Sequence, residues 1–288
     1  MPLKVVLAPL SGTDADASSL ETAMAIGERH EAHVRVLHAR SDPTDSAPLI
    51  GEGMSGIVME QVMRASQTEI DKRESAAKIR FDEAQAGSNL RLADAPSDEP
   101  GGSMSFLEIE GREDQLVAEF GRLSDLIVLP NQAVGDGSVQ AAVTMEAALM
   151  SSGRPVLVSS PSGGTVGAKV AVAWNGGREA AHAVQAARPV LVGADEVHIL
   201  TVGTEKTDVT RADGLVDYLA WHGIETILSK LEPSGESAGA TLMAAAEERG
   251  CDLVVMGGYG HSRMRELIFG GVTRYALNNA TTAVFMAH

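Results

Sequence analysis

Five glycines near the end of the chain have the spacing expected of a phosphate-binding loop. They form two clusters with nine residues between them: Gly257, Gly258, Gly260, Gly270 and Gly271. Glycine has no Cβ, so its amide N–H approaches a ligand closely and its backbone adopts dihedral angles closed to other residues. The apolar run 253–256 predicts a buried strand before the glycines, and a predicted helix at 263–279 would aim its positive end at the turn. The segment therefore predicts a nucleotide phosphate site; the alternative is a strand–helix turn whose glycines permit a close helix contact.

Two side chains beside the glycines are candidates for chemistry. Arg263 is either a phosphate ligand or a solvated arginine in the first turn of the predicted helix. His261 has no acid or nucleophile paired with it locally, so we assign no catalytic residue. The chain also lacks a P-loop, a Gly-x-Ser-x-Gly elbow and zinc-ligand spacing, so we assign no metal ligand. Six further histidines are interpreted as surface or core side chains: His30, His33, His38, His182, His198 and His222.

The glycine spacing resembles a family signature. Gly257-x-x-Gly260, nine residues and then Gly270 is similar to the nucleotide-binding signature of the universal stress protein family, in which serine or threonine follows the last glycine. Here Gly271 stands at that position, so the backbone N–H is retained and the side-chain hydroxyl is lost. The resemblance implies that the ligand is an adenine nucleotide, ATP or AMP, with magnesium as a candidate companion ion.

The composition excludes several classes of partner. The 288 residues, 44% hydrophobic and 22% charged, are enough for two globular domains. A net charge of −16 argues against nucleic acids and anionic membranes, and no apolar run approaches the ~20 residues that span a bilayer. Residues 1–150 carry −13 of that charge and residues 151–288 carry −3, so a polyanion should prefer the second half. The single Cys251, interpreted as a small, partly buried residue, and the absence of an evident signal peptide predict a cytoplasmic protein.

The chain contains an internal duplication. Four pairs of segments align in the same order: 4–12 with 169–177, 34–39 with 197–202, 125–129 with 252–256, and 141–144 with 270–273. Such self-similarity indicates two copies of one structural unit. We therefore predict two domains, residues 1–160 and residues 165–288, joined by the Ser- and Gly-rich run 159–164.

Each copy alternates the patterns of strands and helices. In the first copy the patterns predict strands at 3–8, 33–38, 104–109, 125–129 and 155–158, and helices at 15–30, 57–86, 112–122 and 139–150. In the second copy they predict strands at 169–174, 196–202, 224–230, 252–256 and 283–286, and helices at 178–191, 210–222, 236–249 and 263–279. Asp14 or Asp16 is expected to cap the first helix, and 87–102 to be an exposed connection.

This alternation predicts the α/β class, with two doubly wound, Rossmann-like domains built on parallel sheets. The family resemblance implies the same fold, of the adenine-nucleotide α-hydrolase-like (HUP) type, with five parallel strands per domain. It also implies an intramolecular pseudo-dimer in which the copies associate through strands 155–158 and 283–286; a homodimer of chains is left open. Ligands of such sheets bind beyond the carboxyl ends of the strands, where the strand order reverses.

The two copies differ at the glycines. The positions of Gly257, Gly258, Gly260, Gly270 and Gly271 hold Pro130, Asn131, Ala133, Ala141 and Ala142 in the first copy. Proline removes an N–H donor, and the methyl group of alanine obstructs backbone approach. We therefore interpret the first copy as a degenerate partner that binds no nucleotide, although a purely structural turn would also allow these differences.

Other positions of the second copy complete the candidate site. Asn175 ends the first strand, where ATP-binding family members carry an acid; it would bind a ribose or a metal-bound water, or serve as a turn residue. The resemblance assigns Val202 and Met256 to the adenine pocket, although both would equally serve the core. The candidate cofactor-binding residues are Asn175, Gly176, Val202, Met256, Gly257, Gly260, Arg263, Gly270, Gly271, Val272 and Thr273.

Three functions agree with these residues. The first is a stress-response module that binds an adenine nucleotide and acts by signalling or partner contact, with at most weak ATP hydrolysis. The second is an interaction scaffold of the same fold that binds no nucleotide, which Asn175 and Gly271 favour. The third is an enzyme that activates a substrate by adenylylation, which would need catalytic charges and a second pocket that the residues do not indicate.

Overall fold

The computed structural model describes residues 2–42, 56–131, 139–203, 212–233, 237–258 and 271–288. The strands of the first half are β1 (Val5–Leu10), β2 (His33–Arg40), β3 (Arg91–Leu92), β4 (Ser103–Glu110), β5 (Leu126–Leu129) and β6 (Val156–Val158). Those of the second half are β7 (Lys169–Ala173), β8 (Glu196–Val202), β9 (Ile227–Leu231), β10 (Leu253–Gly257) and β11 (Ala283–Ala287). The helices are α1 (Asp16–His30), α2 (Gly56–Ala86), α3 (Glu113–Gly121), α4 (Val139–Ser151), α5 (Arg178–Val192), α6 (Ala212–Ala220), α7 (Ala238–Glu248) and α8 (Gly271–Asn279).

All of these strands belong to one sheet, in the order β3-β4-β2-β1-β5-β6-β11-β10-β7-β8-β9. Pairing is parallel within each half. The halves meet where β6 pairs antiparallel with β11, with Leu157 opposite Phe285. The predicted α/β fold with doubly wound, mostly parallel sheets is confirmed. In each half the chain runs outward from the first strand and then crosses back, so the strand order reverses beside β1 and beside β7.

The helices cover both faces of the sheet. Side chains of α1, α2, α5 and α6 share one apolar cluster with the strands. Side chains of α3, α4 and α8 pack in a second cluster, and those of α7 in a third. Helices on both faces explain why the strands are apolar along their whole length rather than in alternation. Because aromatic residues are scarce, the core consists mainly of Val, Leu, Ile, Ala and Met, and Phe285 is its largest fully buried side chain.

The first half departs from expectation in two places. The segment predicted as an exposed connection contains the short strand β3, which pairs with β4 because the buried Leu90 anchors it to the core. The predicted side-chain cap of α1 is wrong: the N-cap residue is Ala15, and Asp16 is the first helical residue. The Asp16 carboxylate reaches back into the preceding turn, where it accepts hydrogen bonds from the Gly12 amide at 2.7 Å and the Thr13 amide at 3.1 Å.

Cys251 lies just before β10 and is buried. Burial raises the pKa of its thiol to about 11, so the thiol is protonated at neutral pH and unreactive. Its role is therefore that of a small core residue. Among the residues that the structure describes, no helix has the length and apolar character needed to cross a bilayer.

Candidate functional site

The candidate site lies at the carboxyl ends of the central strands of the second half. β7 pairs with β8 on one side and with β10 on the other, so the three strand ends lie side by side. The strand order reverses between β7 and β10, which is where open α/β sheets bind their ligands. Among the candidates, Asn175 and Gly176 follow β7, Val202 ends β8, and Gly257 ends β10.

Three of the candidates, Gly260, Arg263 and Gly270, lie outside the described residues, as does His261. The described part of the site comprises the strand ends and the described part of α8, from Gly271 onward.

Asn175 organises the turn after β7. Its side chain is exposed, and its Oδ1 accepts a hydrogen bond of 2.9 Å from the amide of Gly177, the N-cap residue of α5. This contact is the turn role that the sequence left as an alternative. Gly176, between Asn175 and Gly177, has a φ of +74°, and no atom of the described residues lies within 4 Å of the position of its absent Cβ. The turn thus presents unobstructed backbone beside the crevice.

Gly257 and Gly258 serve packing and sheet pairing. A Cβ on Gly257 would lie 2.7 Å from the amide nitrogen of Ala180, so only glycine lets β10 end against the first turn of α5. The Gly258 amide donates to the carbonyl of Ala287 at 2.8 Å, which extends the β10–β11 pairing. That amide is therefore already used within the sheet.

The described part of α8 begins at Gly271, because residues 259–270 lie outside the described residues. Gly271 is exposed, and no atom of the described residues lies within 4 Å of its absent Cβ. Val272 packs in the cluster that holds Met256 and Ala276, so this end of the described helix is fixed to the end of β10. Thr273 is buried. The described residues thus place an exposed glycine backbone beside the end of β10.

Met256 and Val202 are both buried in the core. Met256 shares an apolar cluster with side chains of α4 and α8, and Val202 shares one with side chains of α7. Both therefore serve the core, which is the alternative that the sequence left open. In the described part of the chain, no group of three or more His, Cys, Asp or Glu side chains is placed to hold a metal ion.

One nearby feature was not recognised from the sequence. A cleft of about 320 Å³ between α5 and α6 is lined mainly by apolar side chains, including Trp174, Leu215 and Tyr218. Trp174 directly precedes Asn175, and its indole Nε1 is buried with no hydrogen-bond partner among the described residues. A tryptophan at a strand end resembles any other core residue in a single sequence, so only the packing of α5 against α6 identifies the cleft.

Comparisons with known proteins match the second half to a family model and the whole chain to known folds. Residues 167–288 match the model of the Universal stress protein family. The whole chain is similar in fold to a universal stress protein from Archaeoglobus fulgidus DSM 4304, with a TM-score of 0.65 and 14% identity, covering 98% of this chain and 97% of that one. A functionally unknown protein from Pseudomonas aeruginosa PAO1 has a TM-score of 0.56 and 12% identity, covering 99% and 92%. The comparison with curated proteins gave no match.

Proposed function

We propose, because residues 167–288 match the model of the universal stress protein family, that this chain is a stress-response module that binds an adenine nucleotide, ATP or AMP, in its second half. The observation that supports the proposal is the exposed Gly271 at the described start of α8. Its absent Cβ meets open space among the described residues, and the neighbouring Val272 packs with Met256 of β10, beside the reversal of strand order. In this proposal residues 165–288 form the binding domain and residues 1–160 a degenerate copy.

The parts of the nucleotide would be divided among the elements. The phosphates would lie at the first turn of α8 with Gly260, Arg263 and Gly270, because helix amides and glycines suit anions. The ribose would lie near the exposed turn of Asn175 and Gly176. Because Asn175 is neutral and its Oδ1 is engaged by Gly177, it would contribute little to holding magnesium.

The base would lie at the ends of β8 and β10. Met256 would supply an apolar wall, and the backbone of Val202 would supply the polar contact. We assign no general base and no cluster of cations to this site, so any hydrolysis of ATP should be slow. The proposal is therefore a binding protein rather than an enzyme.

The rival function is an interaction scaffold without a nucleotide. It is favoured by Gly271, which lacks the hydroxyl of the family signature, and by the engagement of Asn175 within its own turn. Direct binding measurements separate the two functions, since the scaffold predicts no saturable nucleotide binding.

Tryptophan fluorescence provides a local test. Trp174 adjoins Asn175, whereas Trp221 is 89% exposed at the far end of α6, so a Trp221→Phe background isolates the signal from the crevice. We expect ATP or AMP to change the Trp174 emission saturably, and native mass spectrometry to detect the same complex. Gly260→Val should abolish the change while the thermal midpoint stays within a few degrees. Unaltered affinity in that folded variant would refute the site assignment.

A matched pair of substitutions at Gly271 tests the phosphate contact. Both Gly271→Ser and Gly271→Ala place a Cβ in open space, so both should fold. Only serine restores a hydroxyl, and a hydrogen bond to a charged phosphate is worth about 1.5 kcal/mol, so we expect roughly tenfold tighter binding of ATP by the serine variant alone. Isothermal titration calorimetry measures both constants. Equal affinities in the two variants would place the phosphates elsewhere.

A further inference from the structure

A polar cavity of about 570 Å³ lies at the carboxyl edge of the first half, in the copy that the sequence interprets as degenerate. It is bounded by the ends of β1 and β2, by α2, by the first turn of α3 and by Gln140 of α4. Its titratable and amide side chains come from four elements, β2, α2, α3 and α4: His38, Arg40, Arg73, Arg112, Glu113 and Gln140. The volume is in the range of small-molecule sites.

Three arginines give the cavity its positive groups. Arg73 on α2 donates to Glu69 at 3.1 Å, and Arg40 lies 3.6 Å from Glu74. Arg112 is paired with the neighbouring Asp114. A guanidinium has five N–H donors, so the single carboxylate contacts of Arg40 and Arg73 orient these groups and leave donors for a ligand. These acids also lower the net positive charge, which favours a small anion over a triphosphate.

Glu113 and His38 add groups of a different kind. Burial raises the pKa of Glu113 to about 7, although the hydrogen bond from Thr144 acts to lower it. Near neutral pH its carboxyl therefore exists in part as an acid that donates a hydrogen bond. The buried His38 donates from Nδ1 to the carbonyl of Leu10 at 2.8 Å, so in the neutral ring Nε2 is an acceptor.

The pKa of Glu113 predicts a pH dependence of stability. Between pH 4.5 and about 7 the folded chain holds a proton that the unfolded chain has released, so stability falls as the pH rises through that window. Glu113→Gln should remove this pH dependence. Between pH 5 and pH 8 the thermal midpoint of the wild type should therefore fall by about 3–6 °C relative to that of Glu113→Gln. The exposed Glu119 is on the same helix, and Glu119→Gln should keep the wild-type profile. Parallel profiles for Glu113→Gln and the wild type would contradict the assignment.

We propose that this cavity binds a small organic oxyanion that carries a hydroxyl group, such as a hydroxycarboxylate or a phosphate monoester. Its anionic oxygens accept hydrogen bonds from Arg40 and Arg73, which form bidentate contacts with such groups. Its hydroxyl lies between the donor Glu113 and the acceptor His38. Gln140, near the described start of α4, lines the same space and adds a neutral donor.

Affinity should depend on pH through Glu113. Its charged and titratable surroundings come from α1, β2, α2 and α3: Asp16, His38, Arg40, Arg73, Arg112 and Asp114. Ionisation of Glu113 adds a negative charge beside the anion and removes a donor. Binding should therefore be several-fold weaker at pH 8 than at pH 6 in the wild type. In Glu113→Gln it should persist and lose this difference, because glutamine stays a neutral donor.

The test uses the full chain and two probes, L-malate for the carboxylate class and glycerol 3-phosphate for the phosphate class. Isothermal titration calorimetry is expected to show saturable binding of at least one probe with a millimolar or lower Kd. Arg73→Gln should weaken it at least about tenfold. Arg64 is exposed on the same helix and paired with Glu60, so Arg64→Gln should leave binding unchanged. The stronger probe identifies the anion class.

Three results would overturn the proposal. The first is no saturable binding of either probe up to about 10 mM. The second is equal binding by Arg73→Gln and Arg64→Gln. The third concerns Gly260→Val. Loss of probe binding in this variant would assign the anion to the second half, and displacement of the bound probe by ATP would make the cavity a nucleotide site. Failure of nucleotide binding in the second half leaves these measurements unaffected, so the two proposals fail independently.

Discussion

Replacing Asp16 with alanine is expected to lower the free energy of unfolding by about 3–5 kcal/mol, the cost typical of breaking a buried charge network. Asp16 is 1% exposed, and its carboxylate accepts hydrogen bonds from the Gly12 and Thr13 amides and from the Ser11 hydroxyl. Arg80 lies 3.7 Å away. Alanine would leave the partly buried Gly12 and Thr13 amides without this acceptor at the start of α1.

Thermal unfolding followed by circular dichroism measures this effect, which corresponds to a midpoint lower by about 10 °C for a chain of this size. Asp14 provides the matched control, because it also pairs with Arg80 but is fully exposed. Asp14→Ala should cost less than about 1 kcal/mol, as exposed ion pairs do. Similar losses in the two variants would show that the surface ion pair, and not the buried turn, stabilises this region.

Replacing Gly257 with alanine is expected to cost about 2–4 kcal/mol through overpacking. The new Cβ would lie 2.7 Å from the Ala180 amide nitrogen and 2.8 Å from the Glu179 carbonyl carbon, and both are backbone atoms that cannot rotate away. Either β10 or the first turn of α5 would have to move. Because both border the crevice, nucleotide binding should weaken together with stability.

Two other glycines of the same signature provide controls for this result. Gly258→Ala would meet the tip of the Leu149 side chain, which can adjust, and Gly271→Ala would meet open space. Both should change the free energy of unfolding by less than about 1 kcal/mol in denaturant titrations. A loss at Gly258 as large as that at Gly257 would mean that the strand end, rather than the contact with α5, sets the requirement for glycine.

The contrast among these glycines bears on how the motif is interpreted. Gly257 is required by packing whether or not a ligand binds, which is the close helix contact left open by the sequence. Gly271 is required by no contact in the described structure, so a ligand or a partner would be the reason for a small residue there. A spacing pattern contains both kinds of glycine and cannot separate them, because the distinction depends on which backbone lies opposite.

Most elements of the fold were predictable from local patterns. The short β-branched runs at 126–129 and 253–256 and the helices with apolar residues at helical spacing are determined within their own segments, so the structure reproduces them within a few residues. The strand β3 was missed because two residues carry no periodic signal, and the packing of Leu90 alone makes them a strand. Asp16 was misassigned as a cap because its partners precede the helix.

The two candidate sites also differ in how far the sequence alone could predict them. The sequence predicted the second-half site, because a glycine spacing and a predicted strand end are adjacent in the chain. The first-half cavity escaped it, because Arg40, Arg73 and Glu113 are far apart in the chain and each has the pattern of an ordinary surface residue. His38 likewise was interpreted as a filler until β1 and β2 were seen to place it against Leu10.

The sequence by itself determined the α/β class and predicted the duplication and the glycine turn, since each depends on residues close together in the chain or on repetition along it. Only the tertiary structure decided that Gly257 must be glycine, that Asn175 closes its own turn, and that three arginines and a raised-pKa glutamate share one cavity. The physical reason is that close contact, burial and shared electrostatic fields act through space. They arise where parallel strands end together, whatever the distance along the chain.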